Sequence, residues 1–228
     1  MSSTFYIINN YNVDPSKILE LINTDEYIIY LKGNDQMISK SLINSKKIIR
    51  TINSGHNLSD YLEFIIEHYS DLPERVGFLK GNIVNRHIEE DVFKKRIKNS
   101  GFVSLYSDNK TYEPIYTKSH RIINTYIAQQ IAPGFFLEKT NNWYINSREK
   151  GRYFPKLEDL YNYITNRSLP KFITFIPGGC MLVPRENILN FKKSFYQKLH
   201  EVVTYDFFPV EAYHLERCML YIFMYQKI

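Results

Sequence analysis

The stretch Asn53–Asn82, NSGHNLSDYLEFIIEHYSDLPERVGFLKGN, decides the fold. Leu58, Tyr61, Leu62, Ile65, Ile66 and Tyr69 recur at helical spacing, so the first part is expected to form a helix with one apolar face. Asn57 or Ser59 is the expected N-cap, and Asp71-Leu72-Pro73 stops the helix. Val76–Leu79 then reads as a short buried strand, which ends abruptly at Lys80-Gly81-Asn82. Packing needs none of those three residues. A ligand site at the carboxyl end of the strand would use all of them.

Upstream, strand and helix continue to alternate, with no internal repeat. Thr4–Asn9 is an apolar run of β-formers, and Asn10-Tyr11-Asn12 breaks it. Asp14-Pro15 opens a short helix whose buried face is Ile18, Leu21 and Ile22. Tyr27–Leu31 is a second strand that ends in Lys32-Gly33-Asn34, and Ile48–Ile52 is a short extended piece. Strand and helix therefore alternate through the first third, which predicts a mostly parallel α/β sheet flanked by helices. Ligands of such sheets bind at the carboxyl ends of the strands.

Downstream, Glu89–Lys98, Ser119–Gln130 and Leu157–Tyr163 read as helices. Lys171–Ile176 and Met181–Val183 read as strands around Pro177-Gly178-Gly179-Cys180. Helices are expected after Pro184, over Phe195–Val203 and over Val210–Tyr225. Paired glycines at Gly178-Gly179 let a ligand approach the backbone, and also suit a plain hairpin or bulge.

With 228 residues the chain fits one domain. Hydrophobic residues at 44% and charged residues at 23% mark a globular protein. The net charge of +5 suits an anionic ligand, but it is not gathered into the basic block that nucleic-acid binding would need. Cys180 and Cys218 match no zinc spacing and are expected as reduced, buried thiols. The start, MSSTFYIINN, lacks the pattern of a signal peptide, and no stretch has the length of a membrane span. A cytoplasmic protein is expected, with peripheral membrane contact still open. No Gly-x-Ser-x-Gly elbow or P-loop occurs, which argues against a hydrolase or phosphotransferase of those types.

Three blocks carry a resemblance. The first holds Asn53, Gly55, Tyr61-Leu62, Ile65, Leu72-Pro73, Phe78-Leu79, Gly81 and His87. The second holds Pro177-Gly178-Gly179, Val183-Pro184-Arg185-Glu186-Asn187-Ile188 and Phe195-Tyr196; the third holds Leu215-Glu216-Arg217 and Ile222-Phe223. Together with Tyr11, Asp14 and Lys32-Gly33, they resemble small GT-A-type glycosyltransferase-like proteins grouped as a domain of unknown function.

The resemblance implies a single Rossmann-like GT-A-type domain over residues 1–228. Residues 1–100 would form a nucleotide-binding half and 101–228 an acceptor-side half. The activity implied is transfer of a sugar from a nucleoside-diphosphate carrier, most simply UDP-linked, to a hydroxyl of a glycan or glycoconjugate. The nucleotide sugar would be held by Asn10, Tyr11, Asn12, Lys32, Asn53, Gly55, His56, Asn57, Lys80, Gly81 and Asn82. Gly178, Gly179 and Trp143 would line the sugar and acceptor side, with Trp143, Arg148, Lys150 and Arg152 on a lid loop.

The family usually also implies Mn²⁺ or Mg²⁺ held by Asp-x-Asp after the strand corresponding to Val76–Leu79. Here that place holds Lys80-Gly81-Asn82, and Asn57 stands where many relatives have an acid. Either a metal is held otherwise, with Asn82 and His87 as ligands, or Lys80 supplies the positive charge, or the activity is lost. Glu216, set among apolar helix neighbours, is the first candidate base, with Glu211 its rival and Asp60 and Asp108 behind them. Pairing with Arg217 is the structural alternative for Glu216. The alternative function is an inactive nucleotide- or glycan-binding protein on the same fold.

Overall fold

The computed structural model describes residues 4–107, 129–132, 134–140 and 151–224. Along them run β1 (Thr4–Tyr11), β2 (Tyr27–Lys32), β3 (Ile48–Arg50), β4 (Arg75–Lys80), β5 (Val103–Ser104), β6 (Gln129–Ala132), β7 (Phe135–Lys139), β8 (Phe172–Phe175) and β9 (Met181–Pro184). The helices are α1 (Ser16–Ile22), α2 (Lys40–Ile43), α3 (His56–Glu67), α4 (Glu90–Arg96), α5 (Leu157–Thr165), α6 (Arg185–Ile188), α7 (Lys193–Thr204) and α8 (Val210–Phe223).

The central sheet has six strands in the order β3-β2-β1-β4-β9-β5. The first four are parallel, β9 runs antiparallel to β4, and β5 runs antiparallel to β9. The chain steps outward from β1 through β2 to β3. It then returns over α3 to β4, on the far side of β1. The sheet therefore changes direction between β1 and β4, and a crevice opens beyond their carboxyl ends.

Alternation along the strands sorts the core into two layers. Ile7, Tyr30, Val76 and Phe78 face α3, α5, α7 and α8. Tyr6, Ile8, Ile29 and Leu79 face α1 and α4. On that second face Gly77 makes room for Tyr6, because a Cβ there would lie 2.5 Å from its ring. The α8 helix is buried on nearly every side, as a helix at the centre of a core must be.

A second, three-stranded antiparallel sheet in the order β6-β7-β8 stands beside α8. Its presence corrects two expectations. Gln129 and Gln130 are strand, not the end of a helix; the rest of the helix expected over Ser119–Gln130 lies outside the described residues, as does Tyr225. Likewise β8 and β9 do not pair with each other, so Pro177–Gly179 is not a hairpin but a short 3₁₀ turn carrying the chain from one sheet to the other. Gly178 and Gly179 have φ of 77° and 65°, which a side chain would resist. The described residues contain no helix long and apolar enough to cross a membrane.

Candidate functional site

A cleft of about 240 Å³ lies at the change of direction between β1 and β4. The end of β1 supplies Asn9 and Tyr11 to its wall, with Val13 following; the end of β4 supplies Lys80, and its exit loop Asn82 and Arg86. The N-terminus of α3 contributes Asn53, His56 and Asn57, and Phe208 enters from the loop before α8.

Local sequence explains how α3 starts here. Its N-cap is Gly55, at φ 62° and without a side-chain cap, where Asn57 or Ser59 was expected. A Cβ on Gly55 would lie 2.6 Å from the Val203 carbonyl oxygen, so glycine lets the entry loop sit against α7. Asn57 instead turns its amide across the cleft floor and donates to the Gly178 carbonyl at 3.1 Å. Backbone N–H groups at the start of this 12-residue helix attract anions.

Beneath the loop lies a buried charge pair. The Lys32 Nζ lies 3.1 Å from Asp60 Oδ1, with each side chain 1% exposed. It also donates to the Ser54 carbonyl at 2.8 Å, the His56 carbonyl at 2.6 Å and Ser59 Oγ at 2.7 Å. Asp60 accepts from the Asn9 amide and, at 3.2 Å, from Thr51 Oγ1. Burial pushes the Asp60 carboxyl up to about 6 against the pull of Lys32. Burial likewise moves the Lys32 ammonium down, with Asp60 opposing. Lys32 is therefore not in the cleft wall. It holds the loop that is, and Asp60 orients Asn9, which does line the cleft.

The remaining expected site residues divide by place. Asn10 is fully buried, its amide donating to the Val13 carbonyl at 2.9 Å, and Gly81 packs against it. Asn12 accepts from Asn34 N at 2.9 Å and so shapes the turn beside the cleft. His87 packs on Tyr106, with ring centroids 5.6 Å apart, and is not part of the cleft wall. Gly178 adjoins the cleft: a Cβ there would lie 3.4 Å from Lys80 Nζ. Trp143, Arg148, Lys150 and Asp108 lie outside the described residues. Arg152, which is described, stacks its guanidinium beside Tyr153 and Tyr205.

The two candidate bases exchange environments relative to expectation. Glu211 is the fully buried acid. Its Oε1 accepts from Tyr153 N at 2.9 Å and Phe154 N at 3.4 Å, and its Oε2 from the Tyr205 hydroxyl at 2.8 Å. Gly151 fits against it, since a Cβ there would lie 2.4 Å from Glu211 Cδ. These contacts make Glu211 a tie between α8 and the chain entering α5. Glu216, expected among apolar groups, keeps 24% of its side chain exposed and pairs with Arg217 at 3.3 Å. Arg217 in turn makes a buried pair with Glu138 at 3.0 Å. Burial raises the pKa of the Cys180 thiol; the nearby Lys80 charge lowers it and the Glu216 carboxylate raises it slightly.

Sequence reasoning does not reach Asn9, Arg86 or Phe208. Asn9 sits inside an apolar strand, Arg86 in a polar loop, and Phe208 in a connection far along the chain. Each gains its meaning only from the strand order. Phe208 is 47% exposed and packs 4.6 Å from the His56 ring, while Tyr11 is 51% exposed. Two large rings at the cleft mouth thus remain open to solvent.

Among the described residues no group of three His, Cys, Asp or Glu side chains comes together as a metal site. No carboxylate occurs among the described residues of the cleft wall. Asn82 and the more distant His87 do not make the oxygen-rich donor set that Mg²⁺ or Mn²⁺ takes. The described residues of the cleft wall therefore do not fit the implied ion.

The fold and the cleft define an α/β protein with a polar, cation-bearing crevice at the direction change of its sheet. Residues 14–226 match the model of a family described as "Protein of unknown function (DUF3431)", and the chain belongs to that family. Comparison with curated proteins and with solved structures gave no match.

Proposed function

We propose that the chain is a GT-A-type glycosyltransferase, which binds a nucleoside-diphosphate sugar, most simply UDP-linked, in this cleft and transfers the sugar to a hydroxyl of a glycan or glycoconjugate. One observation carries the reading. The cleft at the β1–β4 direction change combines exposed aromatic rings, Tyr11 and Phe208, with amides, the Lys80 ammonium and the N-terminus of α3. A planar base with a ribose and an anionic diphosphate needs that combination.

In this reading Tyr11 and Phe208 bracket the base, and Asn9, Asn53 and Asn82 bond the ribose and phosphate oxygens. The sugar extends past Asn57 toward Gly178, where the backbone is open to close approach. Transfer breaks the bond from the sugar's C1 to the diphosphate oxygen, which keeps the electron pair. The acceptor oxygen bonds to C1 and gives its proton to a base. Glu216 is the base this reading favours, since Glu211 already accepts three hydrogen bonds.

A binding protein without catalysis is the second reading. It is favoured by the engagement of Glu216 with Arg217 and by the lack of a carboxylate in the described wall.

Thermal melting with UDP, GDP, CMP and ADP, each with and without Mn²⁺, tests the site, because a ligand of the folded state raises Tm. Turnover of UDP-sugars then separates the readings. Slow hydrolysis that falls about 100-fold or more in Glu216→Gln supports the enzyme. Tight binding without turnover supports the binding protein, and no shift with any nucleotide sinks both the transferase and the nucleotide-binding protein.

A further inference from the structure

We propose that Lys80 and Arg86 together do for the diphosphate what a divalent cation does elsewhere, so that donor binding and departure of the nucleotide proceed without metal. The inference rests on the nucleotide-sugar reading of the cleft and adds how its charge is met. Both cations line the cleft. None of the ion pairs or side-chain hydrogen bonds of the described residues engages either head group, whereas Lys17, Lys32, Lys47, Arg50, Lys94 and Arg217 all have acidic partners.

An unpaired cation facing a cleft is available to a ligand, while one in an ion pair is already neutralised. Lys80 leaves β4 and reaches beside Gly178, whose missing Cβ keeps the space next to the ammonium open. Arg86 projects from the loop that follows β4, and its guanidinium can take two phosphate oxygens at once.

Charge and donor chemistry agree. The diphosphate of a nucleotide sugar carries two negative charges, and one lysine plus one arginine supply two positive ones. A divalent ion between protein and diphosphate needs anionic oxygen from the protein side, and the described wall offers amides instead. As the bond from C1 to oxygen breaks, the electron pair remains on the diphosphate, where fixed cations are most effective.

Isothermal titration of the full chain with UDP, first in EDTA and then in Mn²⁺, tests this. Binding in EDTA is expected, with Mn²⁺ altering Kd less than about threefold. Lys80→Met and Arg86→Met should each weaken UDP by about tenfold or more in EDTA, as loss of a charge-assisted bond does. Lys80→Arg and Arg86→Lys should recover part of the affinity, and melting curves without ligand show whether each variant folds. UDP binding that requires Mn²⁺ overturns the proposal and leaves the nucleotide site standing. Metal-free binding unaffected by either Met variant also overturns it. The absence of nucleotide binding under both conditions removes the underlying reading as well.

Discussion

Lys32 Nζ and Asp60 Oδ1 lie 3.1 Å apart inside the protein, and the pair fastens the end of β2 to the entrance of α3. Two buried charges are tolerated here because each has further partners: three oxygens around Lys32, and Asn9 and Thr51 around Asp60. The pair positions the cleft loop without touching its contents.

Removing one member should therefore cost stability first. Lys32→Met leaves an uncompensated buried carboxylate, and a loss of about 3–5 kcal/mol is expected. In a chain of this size that lowers Tm by roughly 10 °C. Urea unfolding measures it. The double variant Lys32→Met/Asp60→Leu should regain part of the loss, and a single variant as stable as wild type would show that the pair holds nothing.

The pH dependence of stability has a defined sign. With its pKa raised to about 6, Asp60 binds more protons folded than unfolded between about pH 4 and 6. Its contribution favours the folded state as pH falls through that window and is lost as pH rises through about 6. Lys32 is the charged group acting on Asp60, with Asn9 and Thr51 bonded to it, and Glu63 and His200 interact with Lys32 in turn; all are present in both proteins when wild type is compared with Asp60→Asn. Between pH 4 and 8 the stability difference should move in the variant's favour by roughly 2–3 kcal/mol. Equal slopes in the two proteins would contradict this.

Glu211→Ala should destabilise by about 3 kcal/mol or more, because Tyr153 N, Phe154 N and the Tyr205 hydroxyl lose their acceptor. Its signature is structural: Cm falls, and any activity remaining in the folded fraction is close to normal per molecule. A large loss of turnover with unchanged Cm would make Glu211 the base instead.

Phe208→Ala and Tyr11→Ala are expected to change Tm little, since both rings are half exposed. Each should weaken UDP by about tenfold, the order of one base–aromatic stack. Titration of phosphate alone should be unaffected, which separates base recognition from charge.

Gly81→Ala places a methyl 2.1 Å from Asn10 Oδ1, a clash with a fully buried side chain. A loss of about 1–3 kcal/mol is expected. Adding Asn10→Ala should relieve part of it, and additive losses would show that the clash lies elsewhere.

The parallel part of the sheet is legible in the sequence because its strands are short apolar runs that end in turn residues. α3 is legible because its apolar face keeps helical spacing. The carboxyl edge follows from those two readings, and with it Tyr11, Asn53, His56, Asn57, Lys80 and Asn82, all of which line the cleft. What escapes is partnership. Nothing local distinguishes Lys32, whose ammonium is buried, from Lys80, which faces the cleft, because the two follow similar strands. The difference is that the entry of α3 encloses the Lys32 ammonium. Glu216 and Glu211 share one helix, and only packing against residues 151–154 reveals which of them is enclosed. Membership of β8 and β9 in different sheets is equally invisible, since a short strand does not state its neighbour.

The cleft draws its wall from Asn9 near one end of the chain to Phe208 near the other, and β4 joins β1 on one side and β9 on the other. These pairings close large loops before they return any stability, which slows folding. During synthesis the crevice therefore cannot be completed until the α7–α8 connection has emerged. A chain truncated before residue 208 also lacks α8, the buried helix of the core, so it should lose the cooperative unfolding transition of the full chain.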